Sequence, residues 1–93
     1  MMILDKLENL YKEDKFDEAI SLALEALKDD SNKENIDLLL FCGKLYNRIN
    51  DKQNAINYYT KVLKIDEDNQ TARTALEMLK SIMDYYCKDL LNP

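Results

Sequence analysis

Hydrophobic residues recur along the chain at intervals of three and four positions, the spacing that places side chains on one face of an α-helix. The first stripe consists of Ile3, Leu7, Leu10 and Tyr11. After the polar turn 13–15, a second stripe consists of Phe16, Ala19, Ile20, Ala23, Leu24 and Leu27. The pattern predicts two short helices that pack against each other as a hairpin.

A second hairpin repeats this plan after the polar segment 29–35. Its two stripes, separated by a turn at 50–51, consist of Ile36, Leu39, Leu40, Gly43 and Tyr46, then Ala55, Ile56, Tyr59, Val62 and Leu63. An offset of 36 residues aligns the hairpins and gives identities at Ala19/Ala55, Ile20/Ile56, Leu27/Leu63, Lys28/Lys64 and Asp30/Asp66. We therefore predict two repeats, at about residues 1–35 and 36–69, within a single domain spanning 1–93.

A longer fifth helix is predicted at about 70–91, after the polar turn 66–69. One of its apolar stripes consists of Ala72, Leu76, Leu79, Met83, Tyr86 and Leu90, and a second consists of Ala75, Met78, Ile82 and Tyr85. A single stripe suffices to cap the end of the stack, so the helix either packs with both stripes or leaves an apolar patch that supports self-association. The residues predicted for such a homodimer interface are Met78, Ile82, Met83, Tyr85, Tyr86, Leu90 and Leu91.

The composition narrows the fold and the chemistry. One Gly, one Pro and no His in 93 residues favour an all-α fold. A lone glycine excludes the Gly-rich loops that cradle nucleotide phosphates, and the lack of His excludes Ser-His and Cys-His nucleophile pairs. Paired carboxylates lie in predicted turns and helix starts rather than in apolar pockets. We therefore expect no enzymatic activity, no metal and no cofactor.

The charge and the cysteines bear on partners and location. The net charge is −5, and residues 1–35 hold ten acidic and five basic side chains, so nucleic acid is not an expected partner. The sequence shows no apolar run near the ~20 residues that span a bilayer and no signal-peptide pattern, so we expect no membrane association. Cys42 and Cys87 lie 45 residues apart within helical patterns, which favours two reduced thiols and a cytoplasmic location.

Gly43 is the only glycine and lies inside a predicted helix, where it costs ~1 kcal/mol relative to alanine. A packing role explains this cost. We expect Gly43 to face Ala55, so that the two helices of the second hairpin approach closely.

The second hairpin resembles a tetratricopeptide repeat at Leu39, Gly43, Tyr46, Ala55, Tyr59 and the closing run 63–69. Val62 and Glu67 replace the usual Ala and Pro. The first hairpin matches at 16–19 but has Leu7 where Gly is usual and Ala23 where an aromatic residue is usual, as terminal repeats often do. The overall layout, with the tail 85–90, is also similar to small stand-alone two-repeat bacterial members.

The resemblance implies an all-α helical-hairpin solenoid of two repeats with a C-terminal capping helix. It also implies a non-enzymatic module that binds a peptide or helix of a partner protein in a concave groove. The groove positions that match are Leu4, Glu8, Tyr11, Lys12, Asp37, Leu40, Phe41, Lys44, Asn47, Arg48, Thr74 and Met78, with Tyr85 as a further candidate. Leu40 and Phe41 are expected to be exposed beside Lys44 and Arg48. Alternatively, the polar members form only a solvated face.

Two more specific sites are disfavoured. Some family members bind a terminal carboxylate with Lys, Asn and Arg, but the matching positions here are Leu4, Glu8, Phe41, Thr71 and Ala75. Lys44 and Arg48 are then the basic pair left for an acidic ligand. A calcium-loop template fits Asp66, Asp68, Gln70 and Glu77, but Thr71 occupies the position that requires Gly, so an inter-repeat turn explains these residues better.

Overall fold

A computed structural model describes the backbone of residues 2–91 and the side chains of residues 2–82. This part of the chain contains no strand. Its five α-helices are α1 (Met2–Lys12), α2 (Phe16–Leu27), α3 (Ile36–Arg48), α4 (Lys52–Ile65) and α5 (Gln70–Leu91). The predicted all-α hairpin fold and long last helix are confirmed. One short 3-10 helix, Asp30–Asn32, lies in the polar segment 29–35 that separates the two hairpins.

The two hairpin turns have the same geometry. Asp14 and Asn50, 36 residues apart, both have positive φ, at 61° and 67°. In the first turn the Lys15 N–H donates to the Leu10 carbonyl at 2.9 Å, and the equivalent bond from Asp51 to Tyr46 in the second turn is also 2.9 Å. These bonds satisfy carbonyl groups at the ends of α1 and α3. Each hairpin turn therefore contains one residue in the left-handed backbone region. The two residues are separated by the same 36 positions that align the hairpins in sequence.

Helix starts differ between the hairpins. The side chains of Asn35, Asp51 and Asn69 accept backbone N–H bonds of 3.0–3.2 Å at the starts of α3, α4 and α5. Lys15 occupies the corresponding position before α2 and makes no side-chain capping bond. Three helix starts are thus fixed locally by side-chain oxygens, whereas α2 starts without this support.

Helix α3 lies at the centre of the stack, and its buried residues serve two clusters. Leu38, Phe41, Cys42 and Leu45 pack with Leu7, Ala19 and Ala23, whereas Leu39 packs with α4 and α5. The predicted single stripe on α3 omitted Leu38, Cys42 and Leu45 and was incomplete. A helix between two neighbours buries more than one face, so a one-sided pattern underestimates its core.

The side chain nearest to Gly43 is that of Tyr59, which the sequence analysis did not anticipate. A Cβ atom built on Gly43 would lie 2.7–2.9 Å from ring carbons of Tyr59, closer than real Cβ atoms approach. The Tyr59 side chain is only 6% exposed. Gly43 is therefore required because the Tyr59 ring lies directly against the α3 backbone.

The described part of α5 packs through its first stripe and through Ala75 of the second stripe, which is half-buried against the same cluster. Ala72, Leu76 and Leu79 are buried in the cluster that contains Leu39, whereas Met78 and Ile82 are 63% and 37% exposed. The other predicted interface residues, Met83, Tyr85, Tyr86, Leu90 and Leu91, lie outside the described side chains. Within the described residues, no helix combines the length and apolarity needed to cross a membrane.

Candidate functional site

A groove of about 330 Å³ lies between α1, α3 and the start of α5. We call it the acidic groove; its lining residues are Leu4, Glu8, Asp37, Leu40, Phe41, Lys44, Tyr59 and Thr71. The structure brings together here six of the residues predicted from the sequence. Tyr59 and Thr71 were not among the predicted groove residues.

Phe41 forms the base of this groove rather than an exposed patch. Its side chain is 9% exposed and belongs to the core cluster that contains Leu7. Its ring packs edge to face with the Tyr11 ring, and the two ring centres are 6.1 Å apart. The prediction that Phe41 is exposed was therefore wrong. The reason is that α1 packs over the α3 face on which Phe41 lies, and the ring fills the contact between these helices.

The two basic residues on α3 lie against aromatic rings. The Lys44 ammonium is 4.3 Å from the Tyr11 ring centre and 5.2 Å from that of Phe41, while the Arg48 guanidinium is 5.3 Å from the centre of Phe16. At exposed sites such contacts contribute ~0.5–1 kcal/mol each. Lys44 lines the acidic groove and Arg48 does not, so the expected basic pair does not act as one site there.

Two carboxylates remain at the rim of the groove. Glu8 and Asp37 are exposed, and among the described residues neither forms an ion pair. Asp37 also lies in the first turn of α3, where the helix dipole stabilises a negative charge. Lys44 lies against the Tyr11 and Phe41 rings and keeps its positive charge, so the two carboxylates leave the lining with a net charge of −1.

Tyr59 reaches the groove from α4 because Gly43 presents no side chain in its path. Burial raises the pKa of the Tyr59 hydroxyl, with a smaller contribution from Tyr11. The phenol therefore stays protonated well above neutral pH and can donate a hydrogen bond. An aromatic residue on α4 near a helical glycine was the sequence signal that could have identified it.

The remaining predicted groove residues do not line the groove. Tyr11 is half-buried beneath Lys44. Lys12, Asn47 and Arg48 are exposed at the ends of α1 and α3, and Thr74 and Met78 are exposed on α5. They lie outside the cavity because it is confined to the N-terminal parts of α3 and α5 and the middle of α1.

The positions that matched a carboxylate clamp were well placed, although their chemistry differs. Leu4, Glu8, Phe41 and Thr71 all line the acidic groove, whereas Ala75 is half-buried against the α4–α5 cluster. None of the five is basic, so this set cannot bind a carboxylate with the charge-assisted bonds that such a clamp uses.

The turn 66–69 has a structural role. One oxygen of the Asp66 carboxylate accepts the Asp68 N–H at 3.3 Å, and Asn69 caps α5. Arg73 also donates to the Glu67 carbonyl at 2.6 Å. Within the described residues, no group of three or more Cys, Asp or Glu side chains is placed to hold a metal ion.

Comparison with known proteins agrees with the helical architecture. Residues 38–73, which contain most of α3, all of α4 and the first turn of α5, match the tetratricopeptide repeat family. A search of curated proteins found no match. Repeats of this family generally act as non-enzymatic protein-interaction modules. The matched segment and the all-helical hairpin fold together support a protein of the tetratricopeptide repeat type.

Proposed function

We propose that this chain binds a short segment of a partner protein in the acidic groove, and that the segment presents an apolar side chain next to a Lys or Arg. The observation that carries the proposal is the composition of the groove. Leu4, Leu40, Phe41 and Tyr59 provide apolar contacts, while Glu8 and Asp37 provide unpaired negative charge. An acidic ligand would meet like charges at this rim.

The size and rigidity of the groove suit anchor side chains. Its volume of about 330 Å³ lies at the lower end of the range for ligand pockets, ~300–1,000 Å³. Phe41 and Tyr59 are held by the core, so their positions are set before a partner arrives. A preorganised surface of this kind loses little conformational freedom on binding.

Selection from a displayed library of random peptides tests this proposal, because it requires no choice of partner protein. We expect selected peptides to share an apolar residue followed or preceded by Lys or Arg. The variant Glu8→Lys with Asp37→Lys should lose these peptides and select acidic residues instead. Glu13→Lys with Glu67→Lys makes the same change in net charge in two turns outside the groove and should select the same peptides as the wild type.

Two results would contradict the proposal. One is a set of peptides that binds the wild type and the groove variant equally. The other is the same loss of binding in the turn variant, which would mean that overall charge rather than the groove attracts the peptides.

A second candidate function is self-association through α5. Met78 and Ile82 are large apolar side chains on its exposed face, and pairing with a second copy would remove both from water. If so, Met78→Glu with Ile82→Glu should convert a dimer to a monomer of 10.9 kDa in light scattering behind size exclusion. A mass that does not change in this variant would exclude α5 as the interface.

The setting that we propose is a single domain acting in a reducing compartment such as the cytoplasm. Among the residues whose side chains are described, Cys42 is a buried free thiol. The net charge of −5 favours protein partners over nucleic acid.

A further inference from the structure

We propose that a surface of α4 outside the acidic groove binds a phosphorylated side chain of a partner protein, with an apolar side chain of the same segment seated beside it. The surface consists of two adjoining cavities that share Lys61 and Lys64. Neither cavity shares a lining residue with the acidic groove. This surface is therefore separate from the site of the peptide binding proposed above.

The first cavity is a groove of about 450 Å³ between the end of α2, the start of α3 and the end of α4. We call it the lysine groove; its lining residues are Leu27, Lys33, Leu39, Lys61, Lys64 and Ile65. Leu27, Leu39 and Ile65 supply its apolar surface, and Ile65 is 41% exposed. A groove of this volume with an exposed large apolar side chain can bury an apolar group of a ligand.

The second cavity has a volume of about 330 Å³ and lies along α4. We call it the amide cavity; its lining residues are Asn54, Asn57, Tyr58, Thr60, Lys61 and Lys64. Positions 57, 60, 61 and 64 follow the spacing of three and four residues that defines one face of a helix. The two lysines therefore lie one turn apart, next to side chains that form hydrogen bonds.

The two shared lysines have no anionic partner within the part of the chain whose side chains are described. The ion pairs there are Lys15–Glu13, Lys28–Glu25 and Lys33–Asp30. Lys33 is thus already paired, whereas Lys61 and Lys64 are not. Among the described residues, no acidic side chain lines either cavity. Two uncompensated positive charges therefore lie where the cavities meet.

Neutral hydrogen-bond donors complete the amide cavity. The Asn57 amide oxygen accepts a bond of 3.3 Å from Gln53, so the Asn57 N–H groups can serve a ligand. Burial raises the pKa of the Tyr58 hydroxyl to about 12, so this phenol stays protonated at neutral pH and can donate. The Thr60 hydroxyl is a third donor.

This combination matches a phosphate monoester better than a carboxylate. A phosphorylated side chain carries a charge of about −1.5 to −2 at neutral pH and three strong acceptor oxygens. Lys61 and Lys64 supply the opposite charge, and the neutral donors supply further hydrogen bonds. A single carboxylate would compensate only one of the two lysines.

The lysine groove favours a phosphate that is carried by a peptide. A phosphorylated residue bound at the two lysines places its sequence neighbours next to Leu27, Leu39 and Ile65, where an apolar side chain can be buried. A nucleic acid backbone has no such side chain, and the net charge of −5 opposes binding of a polyanion.

Two matched peptide libraries test the proposal on the full chain. In one library, a central phosphoserine, phosphothreonine or phosphotyrosine is flanked by random residues other than Lys and Arg; in the other, Glu replaces the phosphorylated residue. We expect the immobilised protein to enrich phosphopeptides with an apolar residue close to the phosphate. Peptides with Glu should bind about tenfold more weakly. Peptides without Lys or Arg lack the basic residue expected in the acidic groove.

Variants of the shared lysines locate the binding. Lys61→Gln with Lys64→Gln removes both charges and should weaken the enriched phosphopeptides by about tenfold or more, whereas Lys61→Arg with Lys64→Arg should retain them. The matched control Lys6→Gln with Lys12→Gln makes the same charge change on α1 and should bind as the wild type does. Ile65→Ser should keep the preference for phosphate and lose the preference for an apolar neighbour. Circular dichroism confirms that each variant is folded.

Other outcomes overturn the proposal. Retention of neither library excludes the site, and equal affinity for the two libraries excludes recognition of phosphate. An equal loss in the α1 control assigns binding to overall charge. Oligothymidylate, or vesicles containing phosphatidic acid, that bind through Lys61 and Lys64 when phosphopeptides do not would assign the surface to nucleic acid or to a lipid headgroup.

The two proposed sites can fail separately. Glu8→Gln with Asp37→Asn removes the carboxylates of the acidic groove and should lose the basic peptides expected there while it keeps the phosphopeptides. Lys61→Gln with Lys64→Gln should do the reverse. Loss of both kinds of peptide in either variant would mean that the two surfaces are not independent.

Discussion

The two hairpins fill the contact between their helices in opposite ways. Under the offset of 36 residues, Leu7 corresponds to Gly43 and Ala23 corresponds to Tyr59. The first hairpin places the large residue on its first helix and the small one on its second, and the second hairpin does the reverse. All four residues are buried. The first hairpin's two departures from the family pattern therefore compensate each other, which is visible only when the positions are compared as a pair.

The hairpins also differ in how much of each is enclosed. Helix α3 buries six residues, whereas α1 buries only Leu7 among its described residues. Within the described residues, the first hairpin packs against a neighbouring hairpin on one side only. Its helices rely on one packed face, while α3 has packing partners on two sides.

The largest expected effect comes from exchanging the paired residues. Gly43→Leu drives a side chain into Tyr59 and should destabilise the fold by more than about 3 kcal/mol. Tyr59→Ala alone should cost ~3–5 kcal/mol through the cavity that it leaves. The double variant recreates the Leu and Ala pair of the first hairpin and should recover at least about 2 kcal/mol relative to the sum of the single changes. Urea unfolding followed by circular dichroism measures this coupling; additive costs would contradict the compensation.

The rate at which a cysteine reacts should differ between equivalent positions on α1 and α3. Cys42 is 1% exposed, and burial raises its pKa from 9.0 to about 12, whereas the equivalent Lys6 is exposed. In a Cys87→Ser background at about pH 8, Cys42 should react with a disulfide reagent at least a hundredfold more slowly than a cysteine introduced by Lys6→Cys with Cys42→Ser. Equal rates would mean that α3 is not enclosed as described.

The same pKa shift has a consequence for stability. A folded-state pKa above the unfolded value means that folding favours the neutral thiol. This contribution is complete below the unfolded pKa near 9 and declines as pH rises towards 12.

A smaller effect is expected at the helix starts. Asp51→Ala removes the cap of α4 and should cost ~1 kcal/mol, in the range of ~0.5–2 kcal/mol for such changes. Lys15→Ser should stabilise the start of α2, because a serine at position 15 forms a capping box with Glu18. The free energy of unfolding should rise by about 0.5–1 kcal/mol. Lys15→Ala serves as the control that removes the lysine without adding a cap. A serine variant no more stable than the alanine variant would contradict the conclusion that α2 lacks a side-chain cap.

The smallest expected effect concerns the two turns. Asp14 and Asn50 adopt positive φ, which glycine adopts without strain. Asp14→Gly should stabilise the chain by a few tenths to about 1 kcal/mol, and Asn50→Gly should gain less because Asn tolerates this region better than most residues. Alanine at either position should destabilise. Thermal melts of the matched glycine and alanine variants compare the two turns directly.

Local patterns were sufficient to predict the helices. Apolar periodicity and polar turns gave five helices, including α5 at Gln70–Leu91, because tight turns and capping residues act over a few positions. They were insufficient for α3, since burial of Leu38 and Leu45 depends on which helices pack on each side. The cation–π contacts of Lys44 depend in the same way on helices distant in sequence.

Prediction of the groove was limited for the same reason. Six of its lining residues lie on helices that the repeat pattern places on the concave side. Tyr59 lies on α4 and reaches the groove only because position 43 has no side chain. Phe41 was placed correctly, but its burial depends on contact with α1.

The position of Tyr59 makes intrinsic tyrosine fluorescence sensitive to the groove. The chain contains six tyrosines and no tryptophan, so its ultraviolet emission comes from tyrosine without being overwhelmed by indole. Tyr59 lies at the floor of the acidic groove while its ring is packed against α3. A molecule that fills the groove changes the surroundings of this phenol, so the intensity of unlabelled protein is expected to report occupancy directly.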